Sequence, residues 1–148
     1  MDLVLWRHAD AEDGPDDAAR ALTDKGVKQA ARMAAWLESR LPKSARVLAS
    51  PAVRAQQTAK RLRRDLATVD TIRPGASAAA ILQAAGWPGG EETVVLVGHQ
   101  PSLGAAAALA VTGKAASWRM KKGGIWWISA PEGESQPAVI AVMMPDLL

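Results

Sequence analysis

The sequence predicts an α/β fold, a three-layer αβα sandwich around a mostly parallel central sheet. Three observations predict it. Short, continuous apolar runs at residues 3–6, 46–49 and 93–97 read as strands buried on both faces. Segments with helical spacing separate them, and strands alternating with helices imply parallel pairing with helices on both sides. The last quarter of the chain changes character and reads as two further strands, 124–130 and 138–144, that add an antiparallel edge.

Taken in order, Leu3-Val4-Leu5-Trp6 forms the first strand, and the acidic stretch 10–20, with Gly14 and Pro15, is a loop. Thr23 is placed to cap a helix, with Asp24 in its first turn. Val27, Ala30, Ala31, Ala34, Leu37 and Leu41 recur at helical spacing, so this helix is expected to reach Leu41 and stop at Pro42. After the strand 46–49, Ser50-Pro51 looks like a helix opening, a capping hydroxyl followed by proline at the first helical position. The helix is expected to run over 51–66, with Arg54 in its first turn. An alanine-rich helix follows at 77–85, then a glycine- and proline-rich loop, the strand 93–97 and a helix at 102–111. No repeat or linker interrupts the chain, so a single domain over 1–148 without a cap is expected.

Composition narrows the chemistry. The chain has 148 residues and no cysteine, which excludes disulfides, thiolate metal sites and cysteine nucleophiles. Two histidines are too few for the usual zinc ligand sets. No segment has the roughly 18 apolar residues of a membrane helix, and the apolar run at the N-terminus is too short for a signal peptide. A soluble, cytoplasmic protein with no membrane partner is the expectation. The net charge of +3 is opposed by the acidic stretch 10–17, and the sequence lacks the basic-aromatic interleaving of a nucleic-acid binder, so no nucleic acid is expected. Two basic clusters, Lys60, Arg61, Arg63, Arg64 and Lys114, Arg119, Lys121, Lys122, read as solvated surface or as attraction for anionic substrates and acidic proteins.

The two histidines occupy equivalent places, His8 just past the first strand and His99 just past the strand 93–97. Ligands of open α/β sheets bind at that carboxyl edge. Arg54 reaches the same edge from the start of its helix, and Arg7 adjoins His8. Guanidiniums keep their charge and match phosphate oxygens in pairs. A neutral imidazole can attack phosphorus, and nearby arginines depress its pKa and keep it neutral. The cluster therefore suits phosphoryl transfer.

The residues of this edge carry a resemblance. Leu5-Trp6-Arg7-His8-Ala9 resembles the Arg-His-Gly signature of the histidine phosphatase superfamily, the group that includes phosphoglycerate mutases. Leu22-Thr23-Asp24-Lys25-Gly26 with Gln29-Ala30 resembles its first-helix entry. Ser50-Pro51-Ala52-Val53-Arg54-Ala55-Gln56-Gln57-Thr58-Ala59 resembles its Ser-Pro-x-x-Arg-x-x-Gln-Thr segment, and Val97-Gly98-His99-Gln100-Pro101 its second-histidine motif. The matches occur in order. The short chain, with no insertion long enough for a cap, is similar to the SixA-type phosphohistidine phosphatase branch.

The resemblance implies a phosphoglycerate mutase-like sandwich and a metal-independent phosphatase with no cofactor. His8 would be the nucleophile, Arg7 and Arg54 would hold the phosphoryl group, and His99 would complete the pocket. A phosphate or sulfate ion would fit there. Gln100 and Ser102 are further candidates to donate to phosphate. Ala9 departs from the family's glycine, and no glutamate stands where the larger enzymes place a general acid. Asp10 and Glu12 are the nearby candidates, against a reading as solvated loop carboxylates. The expected substrate is a phosphohistidine protein, acted on by a monomer through a phospho-His8 intermediate. A phosphomonoesterase for a small metabolite and a non-catalytic phosphate-binding module remain as alternatives.

Overall fold

The computed structural model describes residues 1–148. Six strands form one sheet in the order β3-β2-β4-β1-β5-β6: β1 Asp2–Arg7, β2 Arg46–Ala49, β3 Leu66–Thr68, β4 Thr93–Gly98, β5 Ile125–Ser129 and β6 Ala138–Met143. The pairs β1·β4, β4·β2 and β2·β3 are parallel, and β5 and β6 complete the sheet in antiparallel pairing. The expected antiparallel edge is thus present, and so is the three-layer sandwich.

The layers follow from the alternation of side chains along each strand. Leu3 and Leu5 of β1 and Val94 and Leu96 of β4 point to one face, where α3 (Ala78–Ala85) and α4 (Ser102–Thr112) cover them with Ile81, Leu103 and Ala107. Val4, Trp6, Val95 and Val97 point to the other face, where α1 (Asp24–Glu38) and α2 (Val53–Ala59) close over them with Met33, Leu37 and Ala55. Trp6, inside this second core, donates its indole N–H to Gly123 O at 3.0 Å and so ties the core to the loop before β5. No helix is long and apolar enough to cross a membrane.

Four local expectations are revised. Helix α1 starts where expected, with Thr23 Oγ1 accepting from Gly26 N at 2.9 Å, but ends at Glu38. There Arg40 N and Leu41 N both turn back to Leu37 O, so Leu41 packs into the core from a turn and not from the helix. The second helix is much shorter than 51–66. It begins after Ala52, and Ser50 does not cap it. After Ala59 one 3₁₀ turn follows, and Arg63 adopts a left-handed conformation (φ 52°) that ends the helical path. This frees Leu66–Thr68 to form the edge strand β3, which the sequence reading does not name; of its residues only Leu66 falls in the expected helix. The acidic loop 10–20 also contains one 3₁₀ turn, Asp17–Ala19.

Gly26 shows how tightly α1 is joined to the chain behind His8. A Cβ at this position would lie 1.9 Å from Asp10 O, the carbonyl that also accepts from Thr23 N. Gly26→Ala must push the segment after β1 off the helix. It is expected to cost about 1–3 kcal/mol of stability, as other overpacked sites do, measured as a lowered urea midpoint.

Candidate active site

The parallel register places the site. Arg7 pairs with Gly98, and His8 N donates to Gly98 O at 3.0 Å, so His8 and His99 leave neighbouring strands side by side. On the other side of β4, Ala49 pairs with Val97 and Ser50 N donates to Val97 O at 3.1 Å. Three strand ends thus bring His8, His99 and Ser50 together. The rings of His8 and His99 stand 5.2 Å apart, centroid to centroid.

Helix α2 adds Arg54, whose Nε donates to His8 Nε2 at 3.3 Å. The motif residues after it are scaffolding. Thr58 Oγ1 accepts from Ala9 N at 3.1 Å and donates to Arg54 O at 2.8 Å, clamping the His8 loop to the helix that carries Arg54. Gln57 Oε1 accepts from Leu22 N, Gln56 Nε2 donates to Ser50 O, and Gln29 Oε1 of α1 accepts from Asp10 N. Ala9, where the signature has glycine, is fully buried beside Leu22 and Ala30, so its methyl group has a seat. Arg7 is held by Nη1–H donating to Met120 O at 2.7 Å.

His8 has one defined tautomer. Its Nδ1 lies 2.8 Å from Ala9 O, a carbonyl that can only accept, so Nδ1 carries the proton and Nε2 the lone pair. Burial, with the Arg54 and Arg7 charges, lowers its pKa to about 4 despite the bond to Ala9 O. His99 is lowered to about 3 by burial, by His8 and by Arg54. Both rings are therefore neutral at pH 7. Burial and Arg119 lower the Arg7 pKa, which leaves a guanidinium that is still charged. Two buried polar atoms lack a partner, Arg7 Nε and His99 Nδ1. The unpaired, buried N–H of Arg7 Nε suits an anion that accepts from it.

The other candidates fall differently. Asp10 accepts from Thr23 Oγ1 and from Lys122 Nζ, each at 2.8 Å, and these bonds hold its carboxyl below the usual range. Glu12 is exposed and meets the loop through its backbone. Gln100 has both ends of its amide engaged, donating to Trp118 O and accepting from Gly104 N, so it braces α4 against the 114–122 loop. Ser102 donates to Ala76 O.

The sequence reading passed over Asp17. It lies across Arg54, with its carbonyl accepting from Nη1 at 2.7 Å and its carboxylate from Nη2 at 3.1 Å. Arg20 also donates to that carboxylate, and both bonds lower its pKa. The only signal in the sequence was the Asp17-x-x-Arg20 spacing inside an otherwise featureless acidic loop. His8 is 7% exposed and Arg54 4%, so both side chains are buried.

The chain is similar to known proteins. The model of the histidine phosphatase superfamily (branch 1) matches residues 3–75, the stretch that carries Arg7, His8 and Arg54. Phosphohistidine phosphatase SixA of Escherichia coli (strain K12) is 41% identical over 59 residues, 39% of this chain. Over residues 3–75 the chain is similar to the histidine phosphatase superfamily. The stretch matched in the E. coli protein is 37% of that protein's length. Two solved structures are similar in fold over nearly the whole chain. The protein histidine phosphatase SixA complexed with tungstate has a TM-score of 0.81 at 23% identity, covering 99% of each chain. A phosphoserine phosphatase from Entamoeba histolytica, in complex with 3-phosphoglyceric acid, has a TM-score of 0.72 at 16% identity, covering 95% of each.

The two depressed histidines link the site to stability. An unfolded histidine titrates near 6.5, whereas folded His8 resists protonation down to about 4 and His99 to about 3. Between these limits the unfolded chain binds more protons, so stability should fall as pH drops below about 6.5 and stay flat with respect to these groups above it. Urea titrations from pH 7.5 to pH 4.5 check this. His99→Asn should reduce the slope of stability against pH in that window.

Proposed function

We propose that this protein is a phosphohistidine phosphatase that works through a covalent intermediate on His8. The observation that carries the reading is the His8 imidazole itself, neutral, with Nδ1–H tied to Ala9 O and the Nε2 lone pair beside Arg54 Nε. This is the state a nitrogen nucleophile needs. Arg7 and Arg54 supply fixed charge for the equatorial oxygens of the phosphoryl group. The tungstate complex of the structural neighbour fits this reading, since tungstate is an oxyanion of similar shape.

In the first step Nε2 of His8 bonds to phosphorus as the substrate P–N bond breaks. The departing imidazole nitrogen keeps the electron pair of that bond and leaves as neutral imidazole when it carries a proton on its other nitrogen. In the second step a water oxygen bonds to phosphorus, the P–Nε2 bond breaks, and phosphate leaves with His8 restored. The carboxylates nearest the site, Asp10 and Asp17, are both held below their ordinary range and are ionised at pH 7. Neither is poised to protonate an alkoxide, a role worth roughly 10²–10⁴-fold in ester hydrolysis. A weakly basic leaving group needs no such help, which supports a phosphohistidine substrate. The burial of His8 favours one alternative, a small phosphate ester that enters the pocket whole.

Rapid quench after brief incubation with phosphohistidine protein should trap acid-labile phosphate on His8. His8→Ala should abolish turnover while keeping the fold, and full activity in that variant overturns the mechanism. Arg54→Ala is expected to lower kcat/KM by roughly 10²–10³-fold, as loss of a main electrostatic donor does. A substrate panel decides between the readings. Phosphohistidine and activated aryl phosphates should turn over far faster than alkyl phosphates, also in excess chelator. Equal rates on alkyl esters would move the ester reading ahead.

A further inference from the structure

We infer that Ser50 is a positioning residue that sets the tautomer of His99 and thereby turns its Nδ1 into a hydrogen-bond donor for the phosphoryl group. The inference rests on the phosphatase reading above for the identity of the anion, but not for the tautomer itself.

Ser50 stands at the end of β2, fully buried, with its Oγ 2.7 Å from His99 Nε2. That Oγ also accepts from Ala52 N at 3.2 Å. A hydroxyl has one proton to give. The backbone N–H of Ala52 can only donate, so of the two partners of the hydroxyl His99 Nε2 is the one able to accept the Ser50 proton. With Ser50 donating, Nε2 holds the lone pair and the ring proton sits on Nδ1. The opposite arrangement, Nε2–H donating to Oγ, would load the serine oxygen with two donors and leave its own proton unpaired in a buried place, at the cost of a lost hydrogen bond.

The choice matters because His99 is neutral and so has only one N–H. Its Nδ1 is buried and has no partner in the protein, as is Arg7 Nε. An Nδ1–H there donates to an incoming phosphoryl oxygen, whereas an Nδ1 lone pair would repel it. His8, whose ring lies 5.2 Å away, is fixed in the same Nδ1–H form by a different device, the Ala9 carbonyl. The two neutral rings thereby take complementary parts: His8 offers a lone pair to phosphorus and His99 offers a proton to its oxygen. This also explains why Ser50, which looks like a helix cap in the sequence, leaves the capping position empty. Its hydroxyl is directed at the histidine.

Two measurements test this. In the resting wild-type enzyme, long-range ¹H–¹⁵N spectra at pH 7 should show His99 protonated on Nδ1, and in Ser50→Ala the Nε2–H form should gain population. Ser50→Ala should also weaken vanadate binding and lower kcat/KM by roughly ten- to a hundredfold, the effect of losing one hydrogen bond to a charged group. Ser50→Thr, which keeps the hydroxyl, should recover most of the loss. A wild-type His99 proton found on Nε2, or a Ser50→Ala variant within twofold of wild type in kcat/KM and vanadate affinity, overturns the inference. Tautomer and vanadate binding need no turnover. If phosphohistidine is not hydrolysed but both behave as stated, the substrate reading fails and this one stands.

Discussion

The central position of β4 is the constraint on which the rest of the site depends. It pairs in parallel with β1 on one side and β2 on the other, so three chain segments leave the sheet in the same direction at nearly the same height. Two backbone bonds past the last paired residues, His8 N to Gly98 O and Ser50 N to Val97 O, carry that register one step beyond the strands. The functional groups are therefore positioned by main-chain geometry. A slip of one residue in either pairing would turn His8 or Ser50 to the opposite face, and the two fully buried core faces, with Leu3 and Leu5 on one side and Val4 and Trp6 on the other, forbid such a slip.

A second layer of polar contacts converts this coarse placement into fine geometry. Thr58 joins Ala9 to Arg54, Gln57 holds Leu22, and Gln29 holds Asp10. Each of these three helix side chains satisfies a backbone N–H in the loop leaving β1, those of Ala9, Leu22 and Asp10. Loops carry unpaired backbone groups wherever they pass close to a core, and here the same bonds that satisfy them keep the loops in place. The Gln-Thr pair in the α2 motif is thus explained without contact with any substrate.

Much of this was legible in the residues. Continuous apolar runs marked β1, β2 and β4, and the histidines after two of them, with Arg54 at the start of a helix, marked the shared edge. What stayed hidden was set by contacts distant in sequence. Strand β3 is three residues long and half exposed, so Leu66-Ala67-Thr68 carries no periodic signal and exists because β2 offers a free edge. The end of α2 depends on Arg63 in a left-handed conformation that arginine seldom adopts, and no residue type announces it. Ser50 was misread because a hydroxyl before a proline has the local chemistry of a cap, while its actual partner, His99, is 49 residues away. Asp17 was missed because a loop without periodicity does not reveal which of its four aspartates turns inward.

The Asp17 contact has a further meaning when its two partners are weighed. Arg54 is buried and cannot leave, while the Asp17 side chain is 59% exposed and lies on a short 3₁₀ turn. Burying a guanidinium without an anion is costly, and a carboxylate on its Nη2 offsets that cost while no phosphate is bound. Because the carboxylate end is largely in water, the pair itself contributes little, of order 0–1 kcal/mol. On the proposed phosphatase reading, a doubly charged phosphoryl group that also accepts from Arg7 would compete well against a single exposed carboxylate. In the resting site Arg54 Nε donates to the His8 Nε2 lone pair, a bond that attack on phosphorus must replace, so His8 and Asp17 together hold the guanidinium in its plane until a phosphoryl group arrives. The acidic loop that opposes the basic charge of the chain thus supplies a weak, replaceable partner for the most deeply buried cation of the site, and it does so with a carboxylate too well stabilised in its ionised form to serve as an acid.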